Sequence, residues 1–149
     1  MSSTAIWALG ILICLAVVVA VPWTNVTVKG TVICEGRRMK NVLVELYDRD
    51  FFSYNDKLAE MLTAKDGNFL VSGGEYERGI EPFLLLHHNC LAPKNCSKVV
   101  RYHVPQEYVH STYEMSFIPL DLYQDDEKTI CRRRKEDGTQ GGYDYFVAL

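Results

Sequence analysis

A chain of 149 residues has room for one domain of ordinary size, and 48% hydrophobic residues is a normal globular proportion. The formal net charge of -3 excludes an overall basic field, so charge gives no support to a nucleic-acid partner. What is uneven along the chain is hydropathy.

Ala5 to Val21 is an unbroken apolar run without a charge, ending in the small-x-small pattern Val18-Val19-Ala20. This predicts a signal peptide over residues 1–20, cut after Ala20. An uncleaved signal anchor is the alternative, since the run approaches the ~20 residues that span a bilayer. Residues 21–131 are read as the domain, and residues 132–149 as a polar, flexible tail.

With Cys14 removed in the signal, Cys34, Cys90, Cys96 and Cys131 remain. An even number in a short exported chain is read as two disulfides. Of the three pairings, Cys90 with Cys96 is favoured, because the short loop between them contains Pro93 and can fold back. Cys34 would then close on Cys131. A zinc site from His87, His88, Cys90 and Cys96 is rejected, given an oxidising compartment and no Cys-x-x-Cys pair. Asn25-Val26-Thr27 and Asn95-Cys96-Ser97 are glycosylation sequons, the second weakened by its central cysteine.

Period-two alternation marks most of the mature chain as strand. Val26, Val28, Val32 and Cys34 share one face, and Glu35-Gly36 turns the chain. Val42, Val44 and Leu46 form the next half-buried strand. Lys57 to Leu62 breaks the rhythm and reads as a turn or two of helix capped by Asn55 or Asp56. Asp66-Gly67 predicts a type I′ hairpin turn, with Phe69 and Val71 resuming the alternation. Pro82 to His88 is continuously apolar at first and reads as a central strand. Val100, Tyr102 and Val104 mark another strand, and Met115 and Phe117 belong to a last long strand that runs towards Leu122. The fold class is all-β: an antiparallel sandwich of about seven to eight strands with at most one short helix.

Lys29 to Gly36, Lys40 to Asp50, Thr63 to Phe69, Glu81 to Cys90 and Val104 to Tyr108 together resemble the nematode transthyretin-like family. That resemblance covers most of residues 26–122 and implies a secreted, transthyretin-like β-sandwich without a cofactor. Most members of that family have no assigned function, and one bridges phosphatidylserine in corpse engulfment. The hydrolase that shares the transthyretin fold ends in Tyr-Arg-Gly-Ser, whereas this chain reads Gly141-Gly142-Tyr143-Asp144-Tyr145. Fold likeness transfers no chemistry without the site residues.

No catalytic constellation is read from the sequence. His103 and His110 lie near Ser111 without a third group or an oxyanion element. Asp48, Asp50 and Asp56 lack the spacing of a calcium loop and read as surface charge. Two features are left for a partner. Arg132-Arg133-Arg134-Lys135 is a basic cluster suited to an anionic phospholipid surface. Phe51 and Phe52 could anchor a partner, and the commoner fate of such residues is a lid on the sandwich. The expected function is a non-enzymatic extracellular module that binds or bridges a protein, a cell-surface receptor or an anionic lipid surface through its loops. The alternative is a carrier of a small hydrophobic ligand in the channel of a homodimer, and a hydrolase ranks last.

Overall fold

A computed structural model describes residues 20–50, 54–134 and 143–148, with backbone only at 133, 134 and 143–148. The apolar run expected to be a signal therefore lies outside the described residues, apart from its last two positions.

β1 (Trp23–Cys34) turns Val26, Val28 and Val32 fully inward, as its alternation requires. Gly30 takes the remaining inward place, because a Cβ there would lie 3.0 Å from the Phe69 ring. Glu35 and Gly36, at φ 49° and 72°, form a two-residue turn into β2 (Arg37–Arg38). Two positive φ values in a two-residue hairpin are the type I′ geometry that matches strand twist.

β3 (Leu43–Asp48), β4 (Asp56–Leu62), β5 (Asn68–Tyr76), β6 (Pro82–His88) and β7 (Cys96–His103) follow. After a 3₁₀ turn at Gln106–Tyr108 come β8 (Thr112–Pro119), β9 (Lys128–Arg134) and β10 (Tyr143–Ala148). In the smaller sheet β1 pairs antiparallel with β5 and β2, and parallel with β8. The larger sheet runs β10-β9-β7-β6-β3-β4, every pair antiparallel. Val26, Val28, Val32, Phe69 and Ile118 from one sheet meet Val44, Leu46, Leu84, Leu86 and Val100 from the other in a single core.

Five expectations are corrected. Lys57 to Leu62 is strand, not helix. A bulge opposite Leu46/Tyr47 lets the sequence neighbours Leu58 and Ala59 both pack on the core with Met61, and this spacing imitates a helical face. At the Asp66-Gly67 turn only Gly67 has positive φ, so the turn is not type I′. It links β4 of one sheet to β5 of the other, which a tight hairpin could not do. The strand of Met115 and Phe117 is not the last and stops at Pro119 rather than near Leu122: in β8, Ser116 sits at φ 55° in a bulge opposite Gly30, so Phe117 faces outward opposite Thr31 while Ile118 takes the core. The boundary drawn at Arg132 falls inside β9, and Tyr143–Ala148 returns beside it as an edge strand.

The fifth correction concerns the disulfides. Cys34 pairs with Cys90, and Cys96 with Cys131. Cys90 continues the inward parity of Leu84, Leu86 and His88 and meets Cys34 across the core. Two turns, closed by Ala92 N donating to Asn89 O and Cys96 N to Pro93 O, then carry Cys96 to the start of β7, opposite Cys131.

Gly67 donates its N–H to Ala64 O and accepts from Val32 N, and an added Cβ would lie 2.7 Å from Val32 O. Gly67→Ala should cost about 2 kcal/mol, from the left-handed φ and a backbone that cannot yield. A lower urea midpoint at an unchanged slope is the expected reading.

Candidate functional site

The outward face of the larger sheet concentrates the polar chemistry of the fold. Cross-strand register lines up Lys128, Val99, His87 and Leu43 in one row and Arg101, Leu85, Glu45 and Glu60 in the next. Glu45 is only 7% exposed, although it points away from the core. Its Oε1 accepts from Lys57 Nζ at 2.9 Å, and its Oε2 lies 2.7 Å from His87 Nε2. Burial pushes the Glu45 carboxyl up, but the hydrogen bonds from Lys57 and His87 and their charges outweigh it and hold it below the usual range. Lys57 also reaches Glu60 at 2.7 Å, and its ammonium is raised by the Glu60 bond first and then by Glu45.

His87, fixed by this carboxylate, lines a groove of 260 Å³ with Leu85, Val99, Arg101, Asp126 and Lys128. The Arg101 guanidinium lies 4.6 Å from the Phe83 ring centroid, and that ring stacks on Tyr47 at 5.5 Å. Such stacking buries Phe83 while it holds the guanidinium on the surface.

Of the residues singled out in the sequence, Arg132 and Asn95 adjoin this face. Arg132 is exposed, its N–H bonds Asn95 O at 2.8 Å, and the two residues line a neighbouring groove with Ser97 and Ile130. The Asn95 sequon and the basic cluster therefore adjoin. Arg133 and Arg134 continue β9, opposite Asp144 and Tyr143. Lys135, Phe51 and Phe52 lie outside the described residues. Asn25 sits on β1 opposite Gly74. His87 and His88 point to opposite faces, and Cys90 and Cys96 are in different disulfides, so the four do not converge. Reading by sequence missed Glu45, Arg101 and Lys128. A glutamate in the middle of an apolar strand was the available signal for the first.

A second group gathers at the far end of β3 and β5. Asp48 is 2% exposed, which corrects its reading as surface charge, and it accepts from Glu81 N at 2.6 Å. Carboxylate oxygens of Asp48, Asp50 and Glu77 lie within 4.8 Å of one another. Glu75 is pushed up to about 8 by its hydrogen bond with Asp48, by burial and by the charges of Asp48, Glu77 and Asp56.

Two packed sheets joined by the Cys34–Cys90 bridge, with β9 fastened to β7 by Cys96–Cys131, define a small stapled β-sandwich of transthyretin type. The chain belongs to the transthyretin-like family, whose model matches residues 29–105. It is 40% identical to transthyretin-like protein 16 of Caenorhabditis elegans over 110 residues, 72% of this chain and 83% of that one. Transthyretin-like protein 2 of the same organism is 33% identical over 112 residues, 64% and 74% of the two chains. Among solved structures, a 9R-lipoxygenase from Cyanothece aligns with TM-score 0.46 and 14% identity, over 66% of this chain and 17% of that one, too loosely to carry an argument.

Proposed function

We propose that the chain is an exported binding or bridging module that engages an anionic lipid surface through the outward stripe of Arg101, Lys128 and Arg132. The observation that carries this reading is the register of β7 and β9, which aligns cations distant in sequence on one face beside His87. The expected contact thus shifts from loops to strand surfaces, with Asp126 as its acidic border. Export is supported by the two disulfides, which persist in oxidising compartments, and by the apolar run ending at Ala20.

Each basic side chain near an anionic membrane contributes ~1 kcal/mol. Flotation of the full chain should therefore show capture by phosphatidylcholine vesicles containing phosphatidylserine and not by phosphatidylcholine alone. The triple variant R101Q/K128Q/R132Q should bind about 100-fold more weakly, the equivalent of about 3 kcal/mol. Equal capture by both vesicle types, or binding unchanged in the variant, would sink the reading.

A second reading, carriage of a small apolar ligand, is favoured by a separate groove of 550 Å³ on the outward face of the smaller sheet. Met61, Leu70 and Phe117 line it, and the Ser116 bulge is what turns Phe117 into it. An apolar compound extracted from the purified protein, together with indifference to lipid charge, would decide for that reading.

A further inference from the structure

Trp23, Asn25 and Thr27 are alternate residues of β1 and share its outward face, while Thr24, Val26 and Val28 are buried beneath them. Trp23 and Asn25 are thus about 6.6 Å apart along one surface. Trp23 is 49% exposed and meets Tyr76 edge-on, with centroids 5.0 Å apart and planes at 66°. Tyr76 stands opposite Trp23 on β5 and is 74% exposed. An exposed tryptophan and tyrosine in contact make an apolar shelf that usually finds a partner.

Beside that shelf the strand partner of Asn25 is Gly74, where a Cβ would lie 2.6 Å from the Asn25 Cβ and 2.3 Å from Thr24 O. No side chain can stand there, so the surface next to Asn25 is bare on the β5 side. The register thus brings together a sequon, a side-chain gap and an aromatic shelf at one end of one strand face.

We propose that Asn25 carries an N-linked glycan whose first N-acetylglucosamine lays its C–H face on the Trp23–Tyr76 pair. In the transfer, Asn25 Nδ2 bonds the anomeric carbon of a lipid-diphosphate-linked oligosaccharide. The bond from that carbon to the diphosphate oxygen breaks, and the amide proton leaves with the lipid diphosphate. Transfer precedes folding, and the outward parity of Asn25 lets β1 then pair with β5 and β8 without burying the sugar. The Asn25 carbonyl points along the sheet and accepts His110 N at 2.7 Å, independent of the side chain. The inference shares the premise of export with the lipid reading and nothing else, so failure of flotation leaves it standing.

The full chain, expressed in an insect secretory line and collected from the medium, provides the test. Amidase release in heavy-oxygen water should mark Asn25 as modified, and N25Q should lose that mark. Removing the glycan entirely should lower the melting temperature of the wild type by about 3–5 °C relative to protein trimmed to a single N-acetylglucosamine. That difference should vanish in Trp23→Ala and shrink in Tyr76→Ala, both exposed positions that leave the core intact. An unmodified Asn25, whether in the medium or in protein retained by the cells, overturns the inference. So does a fall in melting temperature of equal size with and without Trp23.

Discussion

Replacing Cys34 and Cys90 together by alanine should lower the unfolding free energy by about 4 kcal/mol, a large share of the 5–15 kcal/mol of a typical domain. The two cysteines are 56 residues apart in sequence, so their bridge removes a long loop from the unfolded ensemble. Cys90 is also part of the core, which makes alanine the right replacement, since a serine hydroxyl there would lack a partner. The Cys96–Cys131 bridge closes 35 residues and fastens β9 to β7 near the sheet edge. Its removal should act locally, with fast amide exchange confined to β9 and β10 and a smaller fall in the urea midpoint. Non-reducing peptide mapping decides the premise: peptides joined as Cys34 with Cys90 and Cys96 with Cys131 are expected. A fragment joining Cys90 to Cys96 would overturn both statements.

These bridges show where sequence reasoning stops. Alternation of apolar residues predicts which face a side chain takes, and it placed Val26, Val28, Val32, Val44 and Leu46 in the core. It also placed β6 at the centre of a sheet, because Phe83, Leu84 and Leu86 leave little polar surface to expose. Pairing of cysteines, by contrast, depends on which strands become neighbours, and that is a property of the closed sandwich. Proximity in sequence favoured Cys90 with Cys96, while inward parity carried Cys90 across the core to Cys34.

Bulges account for most of the rest. One residue inserted opposite Leu46/Tyr47 turns a strand into a helical imitation at Leu58, Ala59 and Met61, and another at Ser116 reverses the face of Phe117. Neither leaves a signal in alternation except its failure. The candidate face was legible only in part, since the basic cluster at Arg132 could be seen while Arg101 and Lys128 become its neighbours only through register. Tyr143 to Val147 falls in the stretch expected to be a polar tail, beyond the part of the chain that the family resemblance covers. Its aromatic and β-branched residues nevertheless suit an edge strand, and β9 offers an edge.

Acid should weaken the fold through His88, by about 3 kcal/mol between pH 7 and pH 4. Its side chain has no exposed surface, and neither ring nitrogen meets a hydrogen-bond partner among the described residues. Burial lowers its pKa to about 4; Glu127, with Oε2 at 3.8 Å, pulls it back up, and Lys98 and His87 oppose protonation. Lys98 in turn holds Glu127 Oε1 at 2.8 Å, so that carboxylate is already engaged. Because the folded value lies below the ordinary 6.5, the unfolded chain takes up a proton between pH 6.5 and 4 that the folded chain refuses. The contribution of His88 is therefore complete above 6.5 and lost as the pH falls towards 4. Glu75 has the opposite sign: raised to about 8, its contribution is complete below the ordinary 4.5 and lost as the pH rises through 8. The two slopes offset each other between about pH 4.5 and 6.5, so a wild-type profile alone would hide the histidine there. Comparison with His88→Met, which keeps the volume and needs no hydrogen bond, isolates the histidine. Urea midpoints of the two proteins should diverge steadily below pH 6.5 in favour of methionine, whereas parallel profiles would mean that His88 is charged or solvated in the folded chain.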